Sequence, residues 1–210
     1  ADTWRCKECH GWDYKGAEGA YGAGKTEDHY TGFPSLWARL SSGILNEPDV
    51  FSYLKFGVRN PADPINAFHK FGEGSIPNLS DSQIQSLVEF IFGGSNGGII
   101  DTSVHILEGP LNGGAKGDPI QGKIKYETGD PTLANNCGDA ACHGSDGRGV
   151  DFSTNEFLGD VANENPWEVL HKARFGQPTQ PLMTPVLSWG DDQDAADILK
   201  YIQDTFLVQP

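Results

Sequence analysis

Four cysteines and two of the six histidines carry the distinctive chemistry of this sequence. They form two short boxes, Cys6-Lys7-Glu8-Cys9-His10 and Cys137-Gly138-Asp139-Ala140-Ala141-Cys142-His143, and in each the second cysteine is followed directly by histidine. With 4 Cys and 6 His in 210 positions, chance supplies only about 0.1 Cys-His dipeptides. Two of them, each with a further cysteine shortly upstream, answer to a chemical need. Two thiols at this spacing can add to the vinyl groups of a porphyrin, and the adjacent imidazole is then held under the iron as proximal ligand. C-x-x-C-H is the attachment signature for haem c. The second box has four residues between its cysteines instead of two. Its spacer must bulge, but the step from the last thiol to the imidazole is unchanged.

Other chemistries fit these residues less well. Zinc needs a fourth ligand near one box and a second Cys or His pair near the other, and neither is present. Two local disulfides are sterically feasible, whereas a thioredoxin-like dithiol needs a βαβ context that is absent around Cys6. The boxes resemble those of the two-domain dihaem class I c-type cytochromes, the longer one a variant common among multihaem cytochromes of anaerobic bacteria. The resemblance is strong in the boxes and weaker elsewhere. It implies a mostly α fold of two small class I cytochrome c-like helical domains, with one covalently bound haem c in each. Cys6, Cys9, Cys137 and Cys142 would hold the two groups, and His10 and His143 would be their proximal ligands.

An electron carrier ordinarily gives its haem iron a ligand on each face. Met183 is the only methionine, and it lies in Gln180-Pro181-Leu182-Met183-Thr184-Pro185, the kind of Pro-flanked loop in which class I cytochromes carry their distal methionine. It is the expected ligand opposite His143. No second methionine exists, so the first haem should take a histidine from His29, His69, His105 and His171. His69 fills the topological slot that Met183 fills in the other half, following Phe56-Gly57 by twelve residues as Met183 follows Phe175-Gly176 by seven. His29, His105 or an open site remain alternatives. Phe68 and Phe71 could pack on the porphyrin or simply in a core. His171 falls inside a helix and reads as structural or exposed. Gly32-Phe33-Pro34-Ser35-Leu36 resembles the family segment whose proline carbonyl accepts the proximal histidine's remaining N–H, which would make Pro34 the partner of His10. Asp151-Phe152-Ser153 offers no matching proline to His143.

The elements that must position these residues are readable from caps and periodicity. Val50 to Phe56-Gly57 matches Val169 to Phe175-Gly176 at an offset of 119, a repeat consistent with two haem domains. Asn46-Glu47-Pro48-Asp49 and Asn165-Pro166-Trp167-Glu168 each open a helix with a cap, an early proline and acids, and Gly57 and Gly176 end it. Ser80-Asp81-Ser82-Gln83 is a capping box before Ile84, Leu87, Val88, Ile91 and Phe92 at helical spacing. Its counterpart runs from Asp191 to Phe206 with Ala195, Ile198, Leu199, Ile202 and Phe206. These features divide the chain into a first domain over 1–94, a Gly-rich connector over 95–118 and a second domain over 119–210. Val104 and Ile106, then Ile120, Ile124 and Tyr126, alternate as a short β-ribbon would. Alternatively, 122–126 resembles the end of the helix that precedes the haem box in this family, although Gly129-Asp130-Pro131 breaks a helix there. Only five residues precede Cys6, so no leading helix is expected before the first box.

Composition narrows the function classes. The 27 Gly and 13 Pro describe a loop-rich globular chain, and its net charge of −14 repels nucleic acid and anionic membranes. The best apolar run, Leu87 to Phe92, is interrupted by Glu89 and is far too short to span a bilayer. A start at Ala1 without Met or leader is what a cleaved signal peptide leaves, and covalent haem attachment belongs to a periplasmic or otherwise extracytoplasmic compartment. The expectation is a dihaem electron carrier, not an enzyme, passing electrons from a lower-potential bis-His haem to a higher-potential His/Met haem. Its partners would be redox proteins with basic docking surfaces. The alternatives are a dihaem redox enzyme, peroxidase-like or oxidising a sulfur compound, and a cytochrome subunit of a larger redox complex or assembly.

Overall fold

The computed structural model describes residues 6–20, 34–57, 69–72, 78–93, 98–99, 104–106, 114–132, 136–177, 183–206 and 208. Among them the chain is mostly helical. The helices are α1 Lys7–His10, α2 Leu36–Ser41, α3 Glu47–Phe56, α4 Asp81–Phe92, α5 Pro119–Thr128, α6 Leu158–Glu164, α7 Pro166–Phe175 and α8 Asp192–Thr205, with 3₁₀ turns at Gly16–Glu18 and Val186–Ser188. None is long and apolar enough to cross a membrane. The described residues fall into two compact units, one holding those up to 99 and the other those from 104 onward.

The first unit is built on α3 and α4. Asn46 caps α3 by accepting the Asp49 N–H at 3.0 Å, and Gly57 ends it at φ 86°. Ser80 and Gln83 make the reciprocal capping box of α4, with Gln83 N–H to Ser80 Oγ at 3.3 Å and Ser80 N–H to Gln83 Oε1 at 2.9 Å. The apolar faces of the two helices meet through buried Val50, Leu54, Ile84 and Val88, flanked by Phe51, Phe71, Leu79, Leu87 and Ile91. Each fully buried aliphatic side chain of this kind contributes roughly 1.5 to 3 kcal/mol, so this pair is the unit's apolar core.

In the second unit α5 and α8 are packed together closely. A Cβ on Gly122 would sit 1.9 Å from the Asp197 carbonyl oxygen, so the two backbones touch where only glycine fits. The face of α8 that meets this core carries Ala195, Ile198, Leu199 and Ile202, all buried, as its spacing predicts. Beside the crossing, the buried Asp197 carboxylate accepts from Asp118 N–H and Gln193 Nε2 at 2.9 Å each and from Lys125 Nζ at 2.8 Å. Gln203 extends the network, accepting from Ala115 N–H and donating to the Ala162 carbonyl, both at 2.8 Å. Residues 115–118, the end of the stretch that the sequence marks as connector, thus pack within this unit.

The alternation over Ile120, Ile124 and Tyr126 does not make a strand. Asp118 Oδ1 accepts the Ile120 N–H at 2.8 Å with Pro119 in the first turn, which starts a helix, and Gly129 at φ 61° stops it after Thr128. Residues 120 and 124 are one helical turn apart and both face outward, so the spacing that looked period-two serves a 3.6-residue period equally well. What remains of the ribbon among the described residues is a single antiparallel bridge, Ile106 to Ala115.

Burial raises the Asp197 pKa, but its hydrogen bonds from Lys125, Asp118 and Gln193 outweigh this and hold the carboxyl below its ordinary 3.8. Asp197→Ala leaves the Asp118 N–H without its acceptor, while Lys125 keeps Asp194 and Gln193 keeps the Lys116 carbonyl, and is expected to cost about 1 to 3 kcal/mol at neutral pH, read from urea denaturation. Because the folded-state pKa is the lower one, the carboxylate's contribution is complete above the unfolded value and is lost as pH falls toward the folded one. The gap between wild type and variant should therefore narrow below about pH 4.

Candidate metal centres

In the first box, α1 is a single turn whose His10 N–H donates to the Cys6 carbonyl at 2.9 Å. Gly11 leaves that turn at φ 78°. His10 then meets His69 edge to face, their ring centroids 6.0 Å apart and their planes inclined by 66°. Burial, and then the charge of His69, lower the His10 pKa to about 4, so at neutral pH it carries the lone pair a metal needs. Two backbone bonds just after His69 anchor its segment: Phe71 N–H donates to the Leu54 carbonyl at 2.7 Å and Gly72 N–H to the Lys55 carbonyl at 3.1 Å. A Cβ on Gly72 would stand 2.5 Å from that Lys55 oxygen, so glycine is required for the segment to reach the end of α3.

In the second box the longer spacer closes on itself. His143 N–H reaches the Cys137 carbonyl at 3.0 Å, while Cys142 N–H and Gly144 N–H both donate to the Asp139 carbonyl, at 2.8 and 3.0 Å. The Asp139 carboxylate holds the entry by accepting the Asn136 N–H at 2.9 Å. Helix α5 is tied to this box by buried Tyr126, whose hydroxyl donates to the Gly144 carbonyl at 2.7 Å and whose carbonyl accepts from Gly138 N–H at 3.2 Å. The Tyr126 ring meets those of Tyr201 and Phe206, at 5.5 and 5.4 Å, so the box, α5 and the end of α8 share one aromatic cluster. Burial lowers the His143 pKa. Its Nδ1 is buried without a hydrogen-bond partner, and the Phe152 ring lies 6.1 Å from its own.

The loops after the two boxes repeat one another, a signal legible in the sequence as His-Gly-x-Asp-x-Lys/Arg-Gly at 10–16 and 143–149. Asp13 Oδ1 accepts the Lys15 N–H and Asp146 Oδ1 the Arg148 N–H, each at 3.1 Å. Tyr14 and Gly147 occupy the same left-handed position, at φ 57° and 75°. Their carbonyls accept from Leu36 N–H at 2.9 Å and Leu158 N–H at 3.2 Å. This register makes Glu156 the counterpart of Pro34. Pro34 is exposed and stands directly before the Ser35 cap of α2, in a segment that the Tyr14 carbonyl brings to the first box. In the second unit the Glu156 carbonyl accepts instead from Phe152 N–H at 2.8 Å.

Met183 is half-buried on the loop before the Val186–Ser188 turn. A Cβ on Gly176 would lie 2.6 Å from the Met183 carbonyl, so glycine lets this loop fold back on the end of α7. His171 is half-buried against the Phe175 ring at 4.9 Å, and burial, then Arg174 and Lys172, lower its pKa to about 4. His105 is half-buried, with an Nδ1 that has no hydrogen-bond partner. His29, Phe68 and Gly32-Phe33 lie outside the described residues.

The two boxes offer the thiols and imidazoles that haem c takes. All four cysteines are free of disulfides. Burial pushes the Cys137 thiol up to about 11, which leaves it protonated at neutral pH and unlike an activated redox dithiol. Among the described residues no three His, Cys, Asp or Glu side chains converge as a metal-binding group. No protein-family model matches the chain, and no curated protein matches it.

A Cβ at Gly147 would enter at positive φ and stand 2.5 Å from Phe206 Cδ2. Gly147→Ala is expected to cost about 2 to 3 kcal/mol in urea denaturation, and Gly43→Ala, also at positive φ but in open space, only about 1 kcal/mol.

Proposed function

We propose that this chain is a dihaem c-type cytochrome that carries electrons between redox partners in an extracytoplasmic compartment. The observation that carries the reading is the ring pair His10 and His69, one imidazole from a C-x-x-C-H box and the other brought to it from 59 residues away. Haem c, when bound, supplies a one-electron couple. Cys6 and Cys9 would hold one group through thioether bonds, and Cys137 and Cys142 the other. His10 and His69 would both ligate the first, which favours a carrier over an enzyme. His143 and Met183 would ligate the second.

Thioether sulfur favours the reduced metal relative to imidazole, so the second centre takes the higher potential and electrons run from the first box toward it. In the second unit, α5 before the box and α8 after it resemble the leading and closing helices of a class I cytochrome domain. The net charge of −14 selects partners with basic docking surfaces and makes association fast and salt-sensitive.

A denatured sample should carry the mass of two haem groups beyond the polypeptide and give the pyridine haemochrome of two haems per chain. A colourless chain of bare polypeptide mass would overturn the proposal. Met183→His should lower the potential of one haem by on the order of 0.1 V and leave the other nearly unchanged; an equal shift in both would contradict the ligand assignment. His69→Gly should convert one low-spin haem to high-spin and admit carbon monoxide at one site per chain. An unchanged spectrum would move the ligand to another histidine.

A further inference from the structure

We propose that the loop from Asp151 to Glu156, with Phe152 on its first arm, is the surface through which the second box meets its electron acceptor, a redox protein whose contact face is basic around an apolar centre. The assignment rests on the dihaem reading. Phe152 is 41 % exposed while its ring contacts that of His143, itself half-buried, so an exposed aromatic side chain lies directly against the box imidazole. Isolated exposed aromatics are ordinary on protein surfaces; this one is held in place. Asp151 pins the loop through Oδ1 to Ser153 N–H at 3.2 Å and Oδ2 to Asn155 N–H at 3.1 Å. Phe152 and Glu156 are joined by the 2.8 Å backbone bond, and a Ser153–Glu156 bridge closes the turn. Thr154 is kept at φ 26° and Asn155 at 69°. A β-branched residue at positive φ is costly and persists where surroundings impose it.

The charge around this loop selects the partner. Residues 146–168 hold six carboxylates, of which Asp160 is buried, against a single cation, Arg148, whose guanidinium lies over the Phe157 ring at 5.3 Å. Lys172, the next cation along the chain, is paired with Glu168 at 2.6 Å. Burial, and then the charges of Glu164, Glu168, Asp160 and Asp151, raise the pKa of Glu156, which shows that these acids act on one region. An apolar centre with an acidic surround is complementary to a basic rim, the arrangement that speeds encounter and weakens with salt. The step itself is a single electron transfer: the second site loses one electron, the partner gains it, and no bond forms or breaks.

The test uses the haem-loaded full chain, reduced, with ferric mitochondrial-type cytochrome c as the basic oxidant and ferricyanide as the small one. Phe152→Ser should lower the second-order rate with the basic protein about tenfold at low salt and change the ferricyanide rate less than twofold. Equal rates for wild type and variant with the basic protein would overturn the docking assignment while leaving the haem reading intact. A chain without haem would overturn both. Zero-length carbodiimide cross-linking of the wild type to the same basic protein needs no variant. Cross-links within 146–168 are expected, and cross-links confined to other segments would overturn the proposal.

Discussion

In both boxes the amide of the histidine donates to the carbonyl of the first cysteine, His10 to Cys6 and His143 to Cys137. That bond closes the box and fixes which side of the chain the thiols and the imidazole share. It spans four residues in the first box and six in the second. In the first it is the ordinary i to i−4 bond of a helical turn. The second recovers the same closure by turning its extra residues about the Asp139 carbonyl, so a longer spacer changes the path and not the endpoint. The loops beyond the boxes then fold alike, through an aspartate that bonds two residues ahead and a left-handed residue whose carbonyl receives the next helix.

Much of this architecture is written locally. The caps at Asn46, Ser80, Asn165 and Asp191 all form as their residue types dictate, because a cap is a bond between residues three apart. The apolar faces of α4 and α8 are equally legible, since helical spacing alone decides which side chains can be buried together. Ambiguity entered where a short apolar pattern fits two periods, as at Ile120 and Ile124, and there the Asp118-Pro119 start decided for a helix. The approach of His69 to His10 was legible only as a topological slot; its geometry depends on Gly72 and the end of α3, a long-range contact that no local pattern encodes. The repeat after the boxes was present in the sequence but obscured by its substitutions, with Tyr14 standing where Gly147 stands.

The two units solve one positional problem with different covers. Around the second box, Tyr126 joins helix α5 to the box and to the rings of Tyr201 and Phe206. Close backbone contact at Gly122 lets α5 lie against α8, and Asp197 gathers the charges and donors that the crossing leaves nearby. The first unit has its apolar core between α3 and α4 instead, and reaches its box through His69 on one side and the Tyr14 loop on the other. Under the proposed ligation, the unit with an imidazole pair is the one whose box is approached by a segment anchored to α3.

The tyrosine at position 14 has a cost and a use. A side chain at positive φ is disfavoured by roughly 1 to 2 kcal/mol relative to the right-handed region, and the equivalent turn after the second box avoids this with glycine. Yet the Tyr14 ring meets Phe90 of α4 edge to face at 5.9 Å, a contact glycine could not make. Helix and box in the first unit are thereby joined through one ring pair, with Tyr14 supplying the side chain, whereas at the corresponding turn after the second box the ring comes from the helix end instead, Phe206 lying against Gly147.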